Sequence, residues 1–181
     1  MPSSSQNSAV NVLNNAGVIA HQTDTVFGLA CLPLTQSLLR LANIKSRDEQ
    51  KSFILLAASA EQVEEFLLAD NNTLDLLNKP TATPTTWLVH ANKNVPSQLL
   101  GSTNKVAVRI TKHSPIMDLC IEVGAIASTS ANISNQPNCI NAQQVRAVFG
   151  PNIDYIDQNQ TPGSGKSSTI IDLDSGNILR R

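Results

Sequence analysis

Apolar residues recur along this chain with two periods, one typical of helices and one typical of strands. Spacings of three and four residues, as at Leu38, Leu41 and Ala42, predict amphipathic helices, while short apolar runs and strict alternation predict strands. The predicted helices lie at 8–15, 35–45, from 59 onward, at 73–77, from 114 to a stop at Gly124, and from 141 to a stop at 150–151. The predicted strands lie at 17–20, 53–56, 87–89, 105–111, 125–128, near 155, at 169–173 and at 178–180.

The order of these elements predicts a mixed α/β fold. Strands and helices are interleaved, which favours helices packed on a sheet, and the polar turn 174–177 joins the last two strands as a hairpin. The stretch 105–111 alternates cleanly, with Val106 and Val108 on one side and Arg109 on the less apolar side. We therefore expect Arg109 to be able to reach a cleft beside the sheet.

The composition fits one globular domain covering residues 1–181. Hydrophobic residues make up 41% of the 181 residues and charged residues 15%, and a chain of this length buries about 70% of its surface on folding. The formal net charge is −1 and aromatic residues are only 3%, which argues against a general polyanion-binding surface. No apolar stretch approaches a membrane span, and residues 1–7 lack the features of a secretory signal. We expect a cytoplasmic protein without membrane association.

The cysteines and histidines give no sign of a metal centre. Cys31, Cys120 and Cys139 form no CxxC pair, which favours reduced, buried thiols over a zinc site or a disulfide framework. The three histidines are scattered without metal-ligand spacing, so a His-based catalytic triad is not expected either.

The segment Gly163-Ser-Gly-Lys-Ser167 ends like a phosphate-binding P-loop. A P-loop also needs a glycine where this chain has Gln160, and it leads from a strand into a helix, whereas a strand is predicted to follow here. We therefore expect a surface loop rather than a phosphate cradle.

Three other polar segments stand out, and two of them allow two interpretations each. Lys45, Arg47 and Lys51 follow a predicted helix and suit either a solvated basic turn or a clamp for a triphosphate or another dense anion. The hydroxyls and amide of 128–132 follow a strand and suit either a ligand-binding loop or a turn that caps its own backbone. The run 23–25 ends the first strand and suits simple turn chemistry.

Taken together and in this order, five segments resemble the YrdC/TsaC family of threonylcarbamoyl-AMP synthases. They are 23–29, 44–47 with Lys51, 106–109, 128–132 and 168–172. The similarity extends from about Ala9 to Arg181, and the length resembles the short stand-alone form of the family. The resemblance implies an open, twisted mixed β-sheet flanked by helices, with a concave basic cavity.

The resemblance also implies a reaction. L-Threonine, bicarbonate and ATP would give threonylcarbamoyl-AMP, pyrophosphate and water by nucleotidyl transfer, for threonylcarbamoyladenosine modification of tRNA next to the anticodon. Mg²⁺ would accompany ATP and be held largely by substrate oxygens. A downstream threonylcarbamoyl transferase complex would take the product, the protein would act as a monomer, and direct contact with tRNA is left open.

The same resemblance gives each matching residue a role. Because threonine carbamate and ATP are both anionic, catalysis should depend on charge neutralisation and positioning. The phosphates and the carbonate would be bound by Lys45, Arg47 and Lys51, with Lys45 and Arg47 as the expected catalytic pair. The threonine would be held by Arg109, through its carboxylate, and by Thr23, Thr25 and Thr129. The nucleotide would be contacted by Thr86, Ser130, Asn132 and Arg180.

The chain departs from the family pattern at several positions, among them Gln22, Asp48 and Arg181, and two other functions stay open. Relatives have a Pro-Gly-Pro run before the threonine that aligns with Thr86, whereas this chain keeps only Pro84. The alternatives are a structured-RNA or tRNA-binding module without catalysis, and a domain that makes a carbamoyl adenylate from another amine.

Overall fold

The computed structural model describes residues 4–46, 51–158 and 163–180. The α-helices found there are α1 (Ser4–Asn14), α2 (Thr35–Ile44), α3 (Asn71–Asn78), α4 (Ser97–Leu100), α5 (Ser114–Val123) and α6 (Ala142–Phe149). The strands found there are β1 (Ile19–His21), β2 (Gly28–Cys31), β3 (Ile54–Ala57), β4 (Thr85–His90), β5 (Lys105–Ile110), β6 (Ile126–Ser130), β7 (Tyr155–Ile156), β8 (Thr169–Asp172) and β9 (Ile178–Arg180). Short 3₁₀-helices cover Ala60–Phe66 and Gly150–Asn152.

All nine of these strands join one mixed sheet, in the order β7-β1-β2-β6-β3-β5-β4-β8-β9. The pairs β1–β7, β3–β5 and β4–β8 are parallel, and the other neighbours run antiparallel. The hairpin expected after residue 173 is present as the antiparallel pair β8–β9. The prediction of a mixed α/β fold with helices packed on a sheet is confirmed.

Helices cover both faces of the sheet, because strand side chains alternate between two hydrophobic clusters. Leu55 packs in the cluster to which α2, α3, α4 and α6 contribute, whereas its neighbour Leu56 packs in the cluster of α1 and α5. Leu56 of β3 lies opposite Arg109 of β5 in the parallel register. Paired residues share a face of a sheet, so Arg109 lies on the face that α1 and α5 cover. This confirms the alternation predicted for 105–111.

The sequence pattern missed β2, which lies between β1 and β6 in the sheet. Gly28 begins this strand opposite His21 of β1 and Ser130 of β6. A Cβ atom at position 28 would lie 3.1 Å from His21 Nε2 and 3.2 Å from the carbonyl oxygen of Thr129. Glycine weakens a strand pattern, yet here it lets three strands approach closely.

The boundary of β6 also differs from the prediction. The strand continues through Thr129 and Ser130, which pair with Leu29 and Gly28 of β2. These two residues were expected in the following loop, because the partner strand β2 was not foreseen. Their backbone is therefore fixed by the sheet.

Several helix ends test the capping predictions. The side chain of Asn141 accepts a hydrogen bond from the amide of Gln144 at 2.9 Å and begins α6, as expected. Ser59 makes no such side-chain cap, and the segment after it is a 3₁₀-helix instead of the expected α-helix. At α5 the capping position is His113, one residue before the expected Ser114. The short helix α4 was not predicted.

The loop that resembles a P-loop leads into β8 and not into a helix, as expected. Across the described ranges no helix combines the length and the hydropathy needed to cross a bilayer.

Candidate active site

A cavity of about 530 Å³ opens on the α1/α5 face of the sheet. The cavity is lined by three apolar side chains that lie side by side in the strand register. They are Ile54 of β3, Ala107 of β5 and Leu88 of β4. Polar side chains from strand ends and loops complete the lining. The sheet therefore supplies a flat apolar floor, and the connecting segments supply the chemistry.

Lys45 follows the C-terminus of α2 and is almost completely buried, with 2% of its surface exposed. Its ammonium donates hydrogen bonds to the carbonyl oxygen of Ser130, to the carbonyl oxygen of Asn132 at 2.6 Å and to Asn132 Oδ1 at 3.2 Å. Ser130 Oγ donates to the same Oδ1 at 2.7 Å. One cation thus holds the end of β6 and the loop after it, and all three residues line the cavity.

Of the other two cations predicted beside Lys45, only Lys51 belongs to the described residues. Lys51 is exposed and lines the cavity. Arg47 lies outside the described residues, so its predicted catalytic role stays a prediction.

Arg109 is a buried guanidinium on β5, with 6% of its surface exposed. Its Nη2 pairs with a carboxylate oxygen of Asp24, and its Nη1 donates to Thr25 Oγ1 at 3.3 Å. Thr25 and Thr23 are joined through their hydroxyls at 2.8 Å, and Thr23 Oγ1 donates to the carbonyl oxygen of Val26 at 2.7 Å. The Thr23 hydroxyl uses its one proton in the bond to this carbonyl, which can only accept. In the contact between the two threonines, the Thr25 hydroxyl is therefore the donor. The turn after β1 therefore fixes both threonines and the guanidinium.

The middle of the cavity is lined by hydroxyls of β6. Thr129 and Ser128 both line it, and Ser128 Oγ lies 3.2 Å from His21 Nε2. Burial is the main reason that the pKa of His21 is lowered to about 4. A hydrogen bond with the backbone of Gln22 raises this pKa, and the electrostatic effects of the nearby His113 and Arg109 lower it. His21 is therefore neutral at pH 7 and does not add a charge next to Ser128.

Arg180 of β9 and Ser168, which directly precedes β8, also belong to the lining of the cavity. Arg180 of β9 donates from Nε and Nη2 to the carbonyl oxygen of Ser168, at 3.2 and 3.0 Å, and both residues line the cavity. Partial desolvation lowers the pKa of the Arg180 guanidinium. It stays protonated in the neutral range, because an arginine begins from a pKa above 12.

Thr86 does not reach the cavity. Its side chain has no exposed surface, and its hydroxyl lies 2.8 Å from Ser168 Oγ, which does line the cavity. The predicted direct contact with the nucleotide does not fit this placement, because Ser168 covers Thr86. Any role of Thr86 acts through the Ser168 hydroxyl.

Apart from Thr86 and Arg47, every predicted site residue lines this one cavity. They are Thr23, Thr25, Lys45, Lys51, Arg109, Thr129, Ser130, Asn132 and Arg180. The described lining holds four cationic side chains and no carboxylate. Such a cavity suits anionic ligands, because each unpaired anion would otherwise carry a large desolvation cost.

Sequence reasoning gave no role to Ser168 or to Asp24. Ser168 belongs to the segment 168–172, which resembles the YrdC/TsaC family, and it lies between a glycine-rich loop and a predicted strand. That position could have indicated a site residue. The pairing of Asp24 with Arg109 joins residues 85 positions apart, and nothing in the sequence pattern indicates it.

The cysteines are free thiols, as expected. Burial raises the pKa of Cys31 and of Cys120 to about 12 and also raises that of Cys139. These thiols stay protonated at neutral pH, which excludes them as ready nucleophiles. No group of three or more histidine, cysteine or acidic side chains in the described part of the chain is arranged to hold a metal ion.

Comparison with known proteins decides the family. The sequence model of the Sua5, YciO and YrdC family, which carries the description "Telomere recombination", matches residues 11–181. The chain belongs to this family.

Curated relatives of this Sua5/YciO/YrdC protein match it over most of their length and share a name. The threonylcarbamoyl-AMP synthase of Vibrio cholerae is 37% identical over 178 residues, which cover 96% of this chain and 95% of the relative. The threonylcarbamoyl-AMP synthase of Thiobacillus denitrificans is 36% identical over 171 residues, covering 93% and 90%.

Solved structures of the family share the fold. P. abyssi Sua5 complexed with L-threonine matches with a TM-score of 0.80 and 28% identity, over 93% of this chain and 50% of that one. The chain therefore spans about half the length of that Sua5 protein. E. coli YciO matches with a TM-score of 0.80 at 20% identity, over 97% of this chain and 88% of that one, which supports the fold alone.

Proposed function

We propose that this protein is a threonylcarbamoyl-AMP synthase, a nucleotidyltransferase that converts L-threonine, bicarbonate and ATP into threonylcarbamoyl-AMP, pyrophosphate and water. Two curated relatives that match nearly the whole chain carry that name. The structure of P. abyssi Sua5 was solved with L-threonine bound, which supports threonine as a substrate of this fold. The product would serve threonylcarbamoyladenosine modification of tRNA.

The observation that carries the proposal is the convergence of Lys45, Lys51, Arg109 and Arg180 on one cavity with threonine and serine hydroxyls between them. Threonine and ATP repel each other, because the amino acid keeps a carboxylate and becomes a carbamate, while ATP carries a triphosphate. Fixed cations lower this repulsion without rearranging during the reaction. Positioning both substrates in one cavity supplies the remaining advantage, since the chemistry needs no covalent enzyme intermediate.

The reaction divides into two steps. The threonine amine attacks the carbon of bicarbonate, and loss of water leaves a carbamate. A carbamate oxygen then attacks the α-phosphorus of ATP, the bond from that phosphorus to the bridging oxygen breaks, and pyrophosphate leaves with the electron pair. Arg109 binds the threonine carboxylate, and the hydroxyls of Thr23, Thr25 and Thr129 orient the amino acid.

The phosphate side is served by the last residue of β6, the loop after it and β9. Lys51 and Arg47 bind phosphoryl oxygens, while Ser130, Asn132 and Arg180 contact the nucleotide. Lys45 contributes its charge and holds the 130–132 backbone, because its three N–H groups already face oxygens of that segment. Thr86 supports Ser168 from behind.

Mg²⁺ enters this proposal as part of the MgATP substrate. Carboxylates are the protein ligands that Mg²⁺ usually takes, and the described cavity lining offers none. The ion would therefore be held by phosphate oxygens and water, with the protein supplying the cations around it.

The described cavity lining offers no aromatic platform, which argues against the alternative of an RNA-binding module. Single-stranded nucleic acids are usually held by stacking on aromatic side chains as well as by cations.

Pyrophosphate release tests the proposal. We expect the purified protein to release pyrophosphate from MgATP only when threonine and bicarbonate are both present. Arg109→Ala should lower kcat/KM for threonine by about 10²- to 10³-fold, because a fixed charge on a reacting anion is lost. Arg146→Ala removes an exposed cation of α6 and should change nothing. Release that is independent of threonine would contradict the proposal.

A further inference from the structure

Asp24 forms an ion pair with Arg109. A guanidinium with 6% of its surface exposed needs a counter-charge, and Asp24 provides one from the turn after β1. Within the described residues, Asp24 and Thr25 accept from two of the five N–H groups of Arg109. Three N–H groups therefore remain to bind a carboxylate in the cavity.

Asp24 approaches Arg109 from outside the cavity. Its neighbours Thr23 and Thr25 line the cavity and Asp24 does not, although about a third of its side chain is exposed. The carboxylate thus orients the guanidinium from the side and leaves the ligand position open. Asp24 fits the role of a support for Arg109 better than that of a competitor for the same ligand position.

The loop that resembles a P-loop holds this turn in place. Ser164 donates its amide to the carbonyl oxygen of Asp24 at 2.9 Å, and Gly165 donates to that of Thr25 at 2.8 Å. Gly163 packs so closely that a Cβ atom there would lie 2.6 Å from the Thr23 carbonyl oxygen. The amides that would bind a phosphate in a P-loop here bind the backbone of the threonine turn.

We propose that Asp24 is a positioning residue for the amino-acid substrate: its carboxylate holds the buried Arg109 guanidinium in the orientation that receives the substrate carboxylate, and the Gly163–Gly165 segment fixes the turn that carries Asp24. This inference rests on the proposed synthase function. It assigns a purpose to the glycine-rich segment that the sequence alone left as a surface loop.

The test compares KM values for the two substrates. Asp24→Asn preserves the shape of the side chain and removes its charge. It should raise KM for threonine by about tenfold or more, because Arg109 and Asp24 belong to one hydrogen-bonded network. KM for ATP should stay within about twofold, because the described residues proposed to contact the nucleotide do not bond to Asp24 or Arg109. Asp24→Glu retains the charge and should recover part of the threonine affinity.

Two further variants sharpen the test. Gly163→Ala leaves the cavity lining and every charge unchanged, yet it should also raise KM for threonine selectively, because the loop must move off the turn. Asp75→Asn removes an exposed carboxylate of α3 and should leave both KM values as in the wild type. Thermal melting of each variant separates loss of folding from loss of positioning.

The outcomes separate this inference from the proposed function. A wild-type protein without threonine-dependent pyrophosphate release means that the synthase function fails. An active wild type with an unchanged or lower KM for threonine in Asp24→Asn overturns the positioning role, as does an equal rise in both KM values. The lower KM would mean that Asp24 competes with the substrate for Arg109.

Discussion

Acidification should destabilise the protein through His21. The folded state holds the pKa of this buried histidine at about 4, against 6.5 in an unfolded chain, chiefly because burial disfavours the charged form. Between these pH values the unfolded state binds the additional proton, so stability rises with pH in this window and falls as the pH drops from 6.5 to 4. A difference of 2.5 pKa units corresponds to about 3 kcal/mol at pH 4.

The assay is urea unfolding at a series of pH values between 4 and 7.5, for the wild type and for His21→Asn. Asparagine has no proton to gain, so the variant should be less stable near pH 7 but should lose about 3 kcal/mol less than the wild type on going to pH 4. Parallel curves for the wild type and His21→Asn would refute the assignment of a neutral, buried His21.

The remaining predictions concern other parts of the cavity. Lys45→Met should lower the free energy of unfolding by about 2–4 kcal/mol, because it strands the oxygens that the ammonium binds, and urea melts showing no loss would contradict that role. Lys105 Nζ holds the β8–β9 hairpin, which carries Arg180, through the carboxylates of Asp172 at 2.6 Å and Asp174 at 2.5 Å. Lys105→Met should therefore raise KM for ATP but not KM for threonine. Equal shifts in both KM values would contradict this role. Cys31 and Cys120 should resist a thiol reagent at pH 8 in the folded protein, and rapid labelling there would contradict their burial.

The fold was predictable where local pattern and tertiary environment agree. The alternation at 105–111 predicted a strand with two different faces. In the structure, Val106 and Val108 pack in the core, and Ala107 and Arg109 line the cavity. Asn141 caps a helix because its side chain reaches a backbone amide three residues on, which is local chemistry. The last hairpin is equally local, since a polar turn separates two short apolar runs.

The strand β2 could not be predicted from its own residues. Gly28 lowers the strand signal, and the reason for glycine there is the crowding by His21 and by the β6 backbone, which only the assembled sheet creates. Missing β2 in turn made Thr129 and Ser130 look like loop residues.

The sequence indicated which residues belong to the site but not the hydrogen bonds and ion pairs between them. The resemblance to the YrdC/TsaC family implied a basic cavity, and all but one of the described candidate residues line a single cavity. The sequence does not reveal that Lys45 donates to two backbone carbonyls and to the Asn132 side chain, or that the Thr86 hydroxyl contacts Ser168. Both depend on contacts between distant segments. The partnership of Arg109 with Asp24 is invisible for the same reason.

The most direct measurement is the identity of the nucleotide product formed from carbon-13 bicarbonate, threonine and MgATP, determined by mass spectrometry. We expect an adenylate whose mass includes one threonine and one labelled carbon, formed together with an equal amount of pyrophosphate. Nucleotide products that contain neither threonine nor the labelled carbon would show that this cavity does not join the two anionic substrates.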